Sequence, residues 1–133
     1  MPRGAPAGVV MRPVGVNDLL RFFFTAVGRI ARQEYVLGLA FVCAADAALI
    51  AFAVNQANHD LALGLVIMVA AFPTTVALFV LAAKRCHDIA LPGAFALLLL
   101  VPFVGFVWLV ALAFIAGNSD PNLYGAPPRF DPD

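Results

Sequence analysis

Three long runs of apolar residues dominate the sequence, and short polar segments separate them. The first run covers about 35–54 and the second about 61–83, each near the roughly 20 residues that a helix needs to cross a bilayer. The third covers about 91–116 and contains Pro102 and Gly105. This pattern predicts an all-α integral membrane protein with three transmembrane helices, of which the third is kinked at Pro102.

The third run has a second interpretation. Two full spans would need roughly 40 residues, which is more than this run contains. A re-entrant hairpin that turns between Pro102 and Gly105 therefore stays open as the alternative to one kinked span.

Polar segments precede and follow the apolar runs. Frequent proline and glycine in residues 1–16 predict a disordered N-terminal tail, and residues 118–133 form a polar, proline-rich C-terminal tail. Between them, residues 17–117 form the membrane domain. Its first residues predict a short amphipathic helix capped by Asn17, with Leu19, Leu20 and Phe23 on one face. That helix either lies on the membrane surface or packs on the other helices.

The position of the charges predicts the orientation in the membrane. Lys and Arg residues flank the start of the first run and the end of the second, whereas the turn at 55–60 has none. Because cytoplasmic segments carry an excess of Lys and Arg, we expect a multi-pass inner-membrane protein with a cytoplasmic N-terminus. A single third span would place the C-terminal tail outside, and one arginine against three aspartates in that tail agrees with this.

Composition restricts the classes of function. With 63% hydrophobic and 12% charged residues, the chain is far more apolar than a soluble domain, so lipid is an expected partner. Lys plus Arg equal Asp plus Glu, eight of each, which argues against a nucleic-acid partner. We find no phosphate-binding glycine loop, nucleophile elbow or metal-ligand spacing, and therefore predict no catalytic residue, metal or cofactor.

A group of polar residues lies beside the first two runs at one predicted membrane surface. It is a candidate rim for lipid headgroups or for a membrane-protein partner, and consists of Arg29, Arg32, Glu34, Lys84, Arg85, His87 and Asp88. Within this rim we expect ion pairs of Glu34 with Arg85 and of Asp88 with Arg32.

Asp46 is the one charged residue in the first run and lies near the predicted middle of the bilayer. Thr74 and Thr75 reach a similar depth, beside Pro73, and complete a candidate intramembrane polar site. One hypothesis makes Asp46 a neutral acid that hydrogen-bonds a neighbouring helix as part of the packing. The other makes it a proton or cation site, which would need a homo-oligomer to form a path.

Three short segments contain recognisable motifs: residues 28–35 read GRIARQEY, residues 84–88 read KRCHD and residues 121–128 read PNLYGAPP. They are similar to the patterns GRxxRxEYW, RRLHD and Asn-x-Tyr-Gly-x-x-Pro, with Val36 in place of the tryptophan. With these motifs the chain resembles a known family of bacterial inner-membrane proteins, DUF805. The family's Ser-Gly-Trp-Trp is replaced by PGAF at 92–95. The likeness covers about residues 19–128 and implies a multi-pass inner-membrane protein without an assigned activity.

Two functions follow from these observations. The first is an accessory or scaffold protein that binds a membrane partner or anionic lipid through its helices and polar rim. The alternative is a small homo-oligomeric channel or transporter that uses Asp46.

Overall fold

The computed structural model describes residues 14–128, and every long element within them is helical. Five α-helices and one 3-10 helix occur in the order α1 Val16–Phe24, α2 Arg32–Ala57, α3 Leu61–Ala70, α4 Phe72–Asp88, the 3-10 helix Gly93–Leu100, and α5 Pro102–Phe114. The predicted all-α class is therefore confirmed for this part of the chain. Most of the predicted disordered tail, residues 1–13, lies outside the described residues, as do residues 129–133.

Helix α1 begins one residue earlier than its predicted cap. Its N-cap is Gly15, whose N–H donates to the carboxylate of Asp18 at 3.1 Å, so the prediction of Asn17 as the cap was wrong. An acid at the third helical position satisfies the free N–H before the helix, which is why the helix starts there. Phe22 and Phe23 pack against the core, while the other apolar side chains of α1 are about half exposed or more.

Helices α2 and α3 form a tight antiparallel pair. Asp60 caps α3 by accepting from the N–H groups of Ala62 and Leu63 at 2.9 and 3.2 Å. Gly64 lies so close to the preceding helix that a Cβ there would come within 2.6 Å of Ala57 Cβ. The short polar turn and this glycine together bring the two helices into contact along their adjoining ends.

The second predicted span is one long helix with a break near its middle. Helices α3 and α4 meet at Ala71, whose backbone stays in the right-handed helical region, and Pro73 follows in the first turn of α4. The acceptor that Pro73 leaves free is the carbonyl of Val69, which accepts from the N–H of Ala71 instead. Residues Leu61–Asp88 and α2 are the two helices long and apolar enough to cross a membrane.

The third apolar run does not form one kinked helix. It divides at Val101 into the 3-10 helix, about 16 Å long, and α5, about 20 Å long. Each piece is shorter than the roughly 30 Å hydrocarbon core of a bilayer. A Cβ at Gly105 would lie 2.6 Å from the Cα of Leu99, so the two pieces pack closely against each other.

Both ends of the third run lie at the same end of the molecule. At its start, a Cβ on Gly93 would be 2.8 Å from Nε2 of His87, which belongs to the last turn of α4. At its end, the carbonyl of Ile115 accepts a hydrogen bond from Arg85, two residues before His87 in α4. This geometry matches the hairpin alternative, because proline at 102 ends the hydrogen-bonded ladder of the first piece and allows the chain to reverse.

The C-terminal tail returns to the surface from which the first span starts. The N–H of Asn118 donates to the carbonyl of Asp88 at 2.9 Å, and residues 118–125 contact the segment just before α2. The tail therefore lies at the same end of the molecule as Arg29. A single third span would have placed it at the opposite end, whereas the chain reverses at Val101.

Candidate functional site

A buried carboxylate forms the centre of the polar end of the molecule. Asp88, at the end of α4, accepts from Nε of Arg29 at 2.9 Å and forms a second ion pair with Nη1 of Arg85. The side chains of all three residues are at most 1% exposed. Buried charges require partners of opposite charge, and here Arg29 and Arg85 share the carboxylate of Asp88. We call Arg29, Arg85, His87, Asp88 and Tyr124 the polar cluster.

Arg85 connects the end of α4 to the end of α5. Its Nε donates to the carbonyl of Leu112 at 3.1 Å and its Nη2 to that of Ile115. Leu112 belongs to the last turn of α5 and Ile115 is its C-cap, and at such a helix end backbone acceptors have no partner within the helix and the helix dipole favours a cation. A further bond from Nη1 reaches the carbonyl of Ile30 at 3.3 Å. One guanidinium thus fixes the position of α5 relative to α4 and α2.

Arg29 binds the C-terminal tail through its other two nitrogens. Nη1 donates to the carbonyls of Asp120 at 2.9 Å and Gly125 at 3.2 Å, and Nη2 donates to the carbonyl of Asn118. Gly125 adopts a φ of +122°, which lets the tail turn back toward the arginine. The planar guanidinium, with five N–H donors in fixed directions, suits such a ring of carbonyls better than a lysine would.

A stacked ring pair attaches the tail on the other side of the cluster. The rings of His87 and Tyr124 lie 3.9 Å apart with an interplanar angle of 8°. Nδ1 of His87 lies 3.1 Å from the carbonyl of Gly28, and the side chain of Asn122 donates to the backbone carbonyl of His87 at 2.8 Å. The tail therefore contacts both the segment before α2 and the last turn of α4.

Two more buried polar groups lie near this end of the helices. Nζ of Lys84 donates to the carbonyls of Arg21 and Phe22 at 3.1 and 2.7 Å, so it satisfies the C-terminal end of α1. The hydroxyl of Tyr35 donates to the carbonyl of Leu109 at 3.1 Å. Among residues 14–128, the buried cations Arg29, Lys84 and Arg85 each hold one chain segment to another.

The predicted rim is divided between buried and accessible residues. Arg29, Lys84, Arg85 and Asp88 have buried side chains, whereas Arg32 is exposed and Glu34 and His87 are partly buried. Whether the rim binds lipid or a partner stays a prediction, and Arg32 is its accessible cation.

The predicted ion pairs of the rim were assigned to the wrong residues. The arginines that pair with Asp88 are Arg29 and Arg85, whereas the sequence analysis chose Arg32. Glu34, expected to pair with Arg85, accepts from the N–H of Ala31 at 3.3 Å and caps its own helix.

The intramembrane residues form a second, smaller site at the side of the helices. Thr74 Oγ1 hydrogen-bonds a carboxyl oxygen of Asp46 and lies 2.7 Å from the carbonyl of Ala71, while Thr75 donates to the same carbonyl at 3.1 Å. Asp46 and Thr75 line an outward-facing groove of about 380 Å³ that we call the Asp46 groove. Its other lining residues are Ile50, Met68, Val69, Ala71 and Phe72.

Within residues 14–128, no group of three or more His, Cys, Asp or Glu side chains lies close enough together to hold a metal ion. Cys43 and Cys86 are both free thiols, the first exposed and the second buried.

The three sequence segments that resemble a family are the segments that meet in the polar cluster. The sequence profile described as "Protein of unknown function (DUF805)" matches residues 23–126, which include the first two segments and residues 121–126 of the third. The chain belongs to the DUF805 family. In this DUF805 chain the GRxxRxEY segment supplies Arg29, the KRCHD segment supplies Arg85, His87 and Asp88, and the closing segment supplies Tyr124.

Curated relatives of this DUF805 chain include the inner membrane protein YhaI of Escherichia coli K12 and the same protein of Escherichia coli O157:H7. Each is 38% identical to the chain over 115 residues, which cover 85% of this chain and 93% of the relative. No solved structure matches the chain. The two relatives support a membrane protein, and the family description assigns no activity.

The tail residues were not among those predicted for the site, although the Asn-x-Tyr-Gly resemblance was visible. The side of the membrane on which the tail lies depended on whether the third run is one span or a hairpin. Tyr124 and the carbonyls of Asn118, Asp120 and Gly125 belong to the same polar cluster as the arginines. Backbone carbonyls leave no signal in side-chain chemistry, and only the spacing of the closing segment could have indicated them.

Proposed function

We propose that this protein is an accessory or scaffold protein of the inner membrane that binds a helix of another membrane protein in the Asp46 groove. The observation that carries this proposal is a half-buried carboxyl on an outward-facing side of α2. Asp46 lies about 21 Å along the helix axis from Arg32 and about 17 Å from Ala57, near the middle of the bilayer.

A carboxyl at that depth needs more partners than the single chain offers. Thr74 meets one oxygen of Asp46, and apart from Thr75 the groove beside it is lined by apolar residues and open to the outside. Polar groups inside a bilayer face a partner or a water-filled cavity, because hydrocarbon offers them no hydrogen bond. A helix with a hydroxyl, amide or basic side chain at this depth would complete the site and cover the apolar lining.

The polar end supports a structural role over a catalytic one. Its charged side chains donate to one another or to backbone carbonyls, as Arg29, Arg85 and Lys84 all do. Groups committed in this way hold segments together and are not available to a substrate. The cluster therefore makes a rigid unit whose outer helix faces carry the interaction.

The proposal includes a definite arrangement in the membrane. Helices α2 and α3–α4 cross it, the third run enters and returns as a re-entrant hairpin, and α1 lies at the surface. The excess of Lys and Arg beside the polar cluster assigns that end to the cytoplasm. Both the N-terminus and the C-terminal tail are then cytoplasmic, and the protein is multi-pass with two crossings.

A homo-oligomeric channel is the second candidate, and the same carboxyl supports it. Copies that face one another through the Asp46 groove would place several acids around one path. The two candidates differ in what accompanies the chain and in whether ions move, so one preparation separates them.

The test is the composition of the complex extracted from its native membrane in lipid nanodiscs and weighed by native mass spectrometry. The accessory role predicts a different membrane protein in fixed stoichiometry, reduced with Asp46→Leu and retained with Asp46→Asn, whose amide still hydrogen-bonds. Cys43→Ser is the matched control, because Cys43 is an exposed residue one turn earlier on the same helix.

A pure homo-oligomer would overturn the accessory role and favour the channel. In that case proton or cation flux into proteoliposomes should fall with Asp46→Asn. A chain that emerges as a monomer with lipid alone would overturn both candidates.

A further inference from the structure

Two apolar grooves and one accessible cation meet on the first turns of α2, and what binds there does not depend on the accessory role proposed above. We propose that an anionic diacyl phospholipid binds there, with its phosphate on Arg32 and its two acyl chains in the grooves on either side of Leu37. The observations that lead to this are two adjoining apolar grooves, one projecting ridge between them and one accessible cation at their polar end.

The first groove lies between α1 and α2 and has a volume of about 650 Å³. Apart from Glu34, its lining is apolar or glycine, and consists of Val14, Leu19, Phe22, Phe23, Leu37, Gly38 and Phe41. Gly38 forms part of the floor, since a Cβ there would be 3.2 Å from Leu81 and 3.3 Å from Phe22. From Glu34 to Phe41 the groove follows α2 for about 10 Å, most of the roughly 15 Å depth of one leaflet.

The second groove lies between α2 and α5 and has a volume of about 380 Å³. Arg32 and Gln33 line its polar end, and Val36, Leu37 and Ala113 line the remainder. Leu37 belongs to both grooves and is 72% exposed, so it stands as the ridge between them. Two chains joined at a glycerol could straddle such a ridge, whereas one helix could not enter both grooves.

Charge selects the headgroup. Arg32 is the first residue of α2 and lies at the same end as the polar cluster, the depth at which lipid phosphates are found. Unlike Arg29, which is bound to the tail, Arg32 is exposed at the edge of the groove. The nearby carboxylate of Glu34 is directed at the N–H of Ala31, so it caps the helix while the arginine faces outward.

The experiment measures retention of phosphatidylglycerol on the full chain, with phosphatidylcholine as the uncharged comparison, by native mass spectrometry after delipidation and titration. We expect one tightly retained phosphatidylglycerol per chain. Arg32→Gln should weaken it about fivefold, the factor that corresponds to about 1 kcal/mol for one charge at the membrane surface. Arg32→Lys should restore most of the binding.

Arg21→Gln is the matched control, because Arg21 is also an exposed arginine near this end but lines neither groove. It should leave retention unchanged. Equal losses from Arg21→Gln and Arg32→Gln would overturn the site in favour of general surface charge, and equal retention of both lipids would overturn the headgroup assignment.

A photoactivatable phosphatidylglycerol, with the reactive group on its acyl chain, tests the grooves in nanodiscs. The expected result is labelling at Val36 and Phe41 in excess of Val69, an equally apolar residue that is 72% exposed on α3. Uniform labelling of the three positions would show that lipid contacts the whole surface alike and would overturn the proposal.

Discussion

Replacing Asp88 by asparagine would separate the charge of this carboxylate from its shape. The amide is nearly isosteric and keeps one oxygen that can accept a hydrogen bond. Its negative charge is lost, however, between two guanidinium groups whose side chains are at most 1% exposed. The variant therefore asks how much of the stability of the polar end depends on charge compensation.

The expected loss follows from the two ion pairs. Hydrogen bonds to charged groups contribute about 1.5–3 kcal/mol and neutral ones about 0.5–1.5 kcal/mol, so weakening two of them costs about 2–3 kcal/mol. Removing one partner of a buried ion pair costs about 3–5 kcal/mol, because the remaining charge is left without compensation. We expect Asp88→Asn to lower the free energy of unfolding by about 2–5 kcal/mol.

The measurement is unfolding in mixed micelles titrated with SDS, followed by circular dichroism. Asp120→Asn is the control: Arg29 binds the backbone carbonyl of Asp120 at 2.9 Å, so changing that side chain should cost less than about 0.5 kcal/mol. If Asp88→Asn were as stable as the wild type or the Asp120→Asn control, the polar cluster could not be the element that holds this end together.

Three further predictions follow from the same geometry. Gly105→Ala should destabilise the protein by about 1–3 kcal/mol, because its Cβ would be 2.6 Å from the backbone of Leu99. Gly15→Ala, whose Cβ meets only an ordinary contact at 3.6 Å, should cost less and only through the weaker N-cap. Tyr124→Ala should cost about 0.5–1.5 kcal/mol of ring stacking and speed proteolysis of the tail, whereas Leu123→Ala, at a 98% exposed residue, should leave cleavage unchanged. A reporter that is active only in the cytoplasm should be active when it is fused after residue 133, and one that is active only in the periplasm should be silent there. Activity of the periplasmic reporter would refute the re-entrant hairpin.

Hydropathy predicted the first two spans because length and apolarity are properties of the chain itself. Both predicted ranges, 35–54 and 61–83, fall inside the observed helices α2 and α3–α4. The third run has the same composition, yet it reverses at Val101. The hydropathy of a run is the same whether the chain continues or turns back. Only Pro102 indicated the reversal, and a proline at that position was equally compatible with a kinked helix.

For the candidate site, the sequence indicated which residues lie near one another, but not which of them form contacts. Spacing placed the rim residues at one end, but Arg29 lies in the loop before α2 and Arg32 in its first turn. The loop residue reaches inward to Asp88, while the helical residue points to the outside. This choice depends on the path of the backbone, which a single sequence does not specify.

Asp46 and Thr74, which the sequence predicted at a similar depth, contact each other from neighbouring helices. Whether this contact serves only packing stays a prediction. The carbonyls freed by Pro73 and Pro102 do not stay available to Asp46, since those of Val69 and Leu98 accept from other backbone N–H groups. At each proline, a nearby backbone N–H group already donates to the freed carbonyl, so the carbonyl does not need the side chain of Asp46.

The contact between Arg29 and Gly125 spans 96 positions of the chain, which has a consequence for biogenesis. At about 5–20 residues per second, translation takes roughly 5–20 s to cover that interval. During this time Arg29 has emerged, but its carbonyl acceptors have not been synthesised. Both long apolar helices are therefore synthesised before the fold can close, and residues 118–125 complete it. A chain truncated before residue 118 would keep an uncovered arginine at this end of the molecule, a chemical mark by which a quality-control protease could tell an unfinished copy from a finished one.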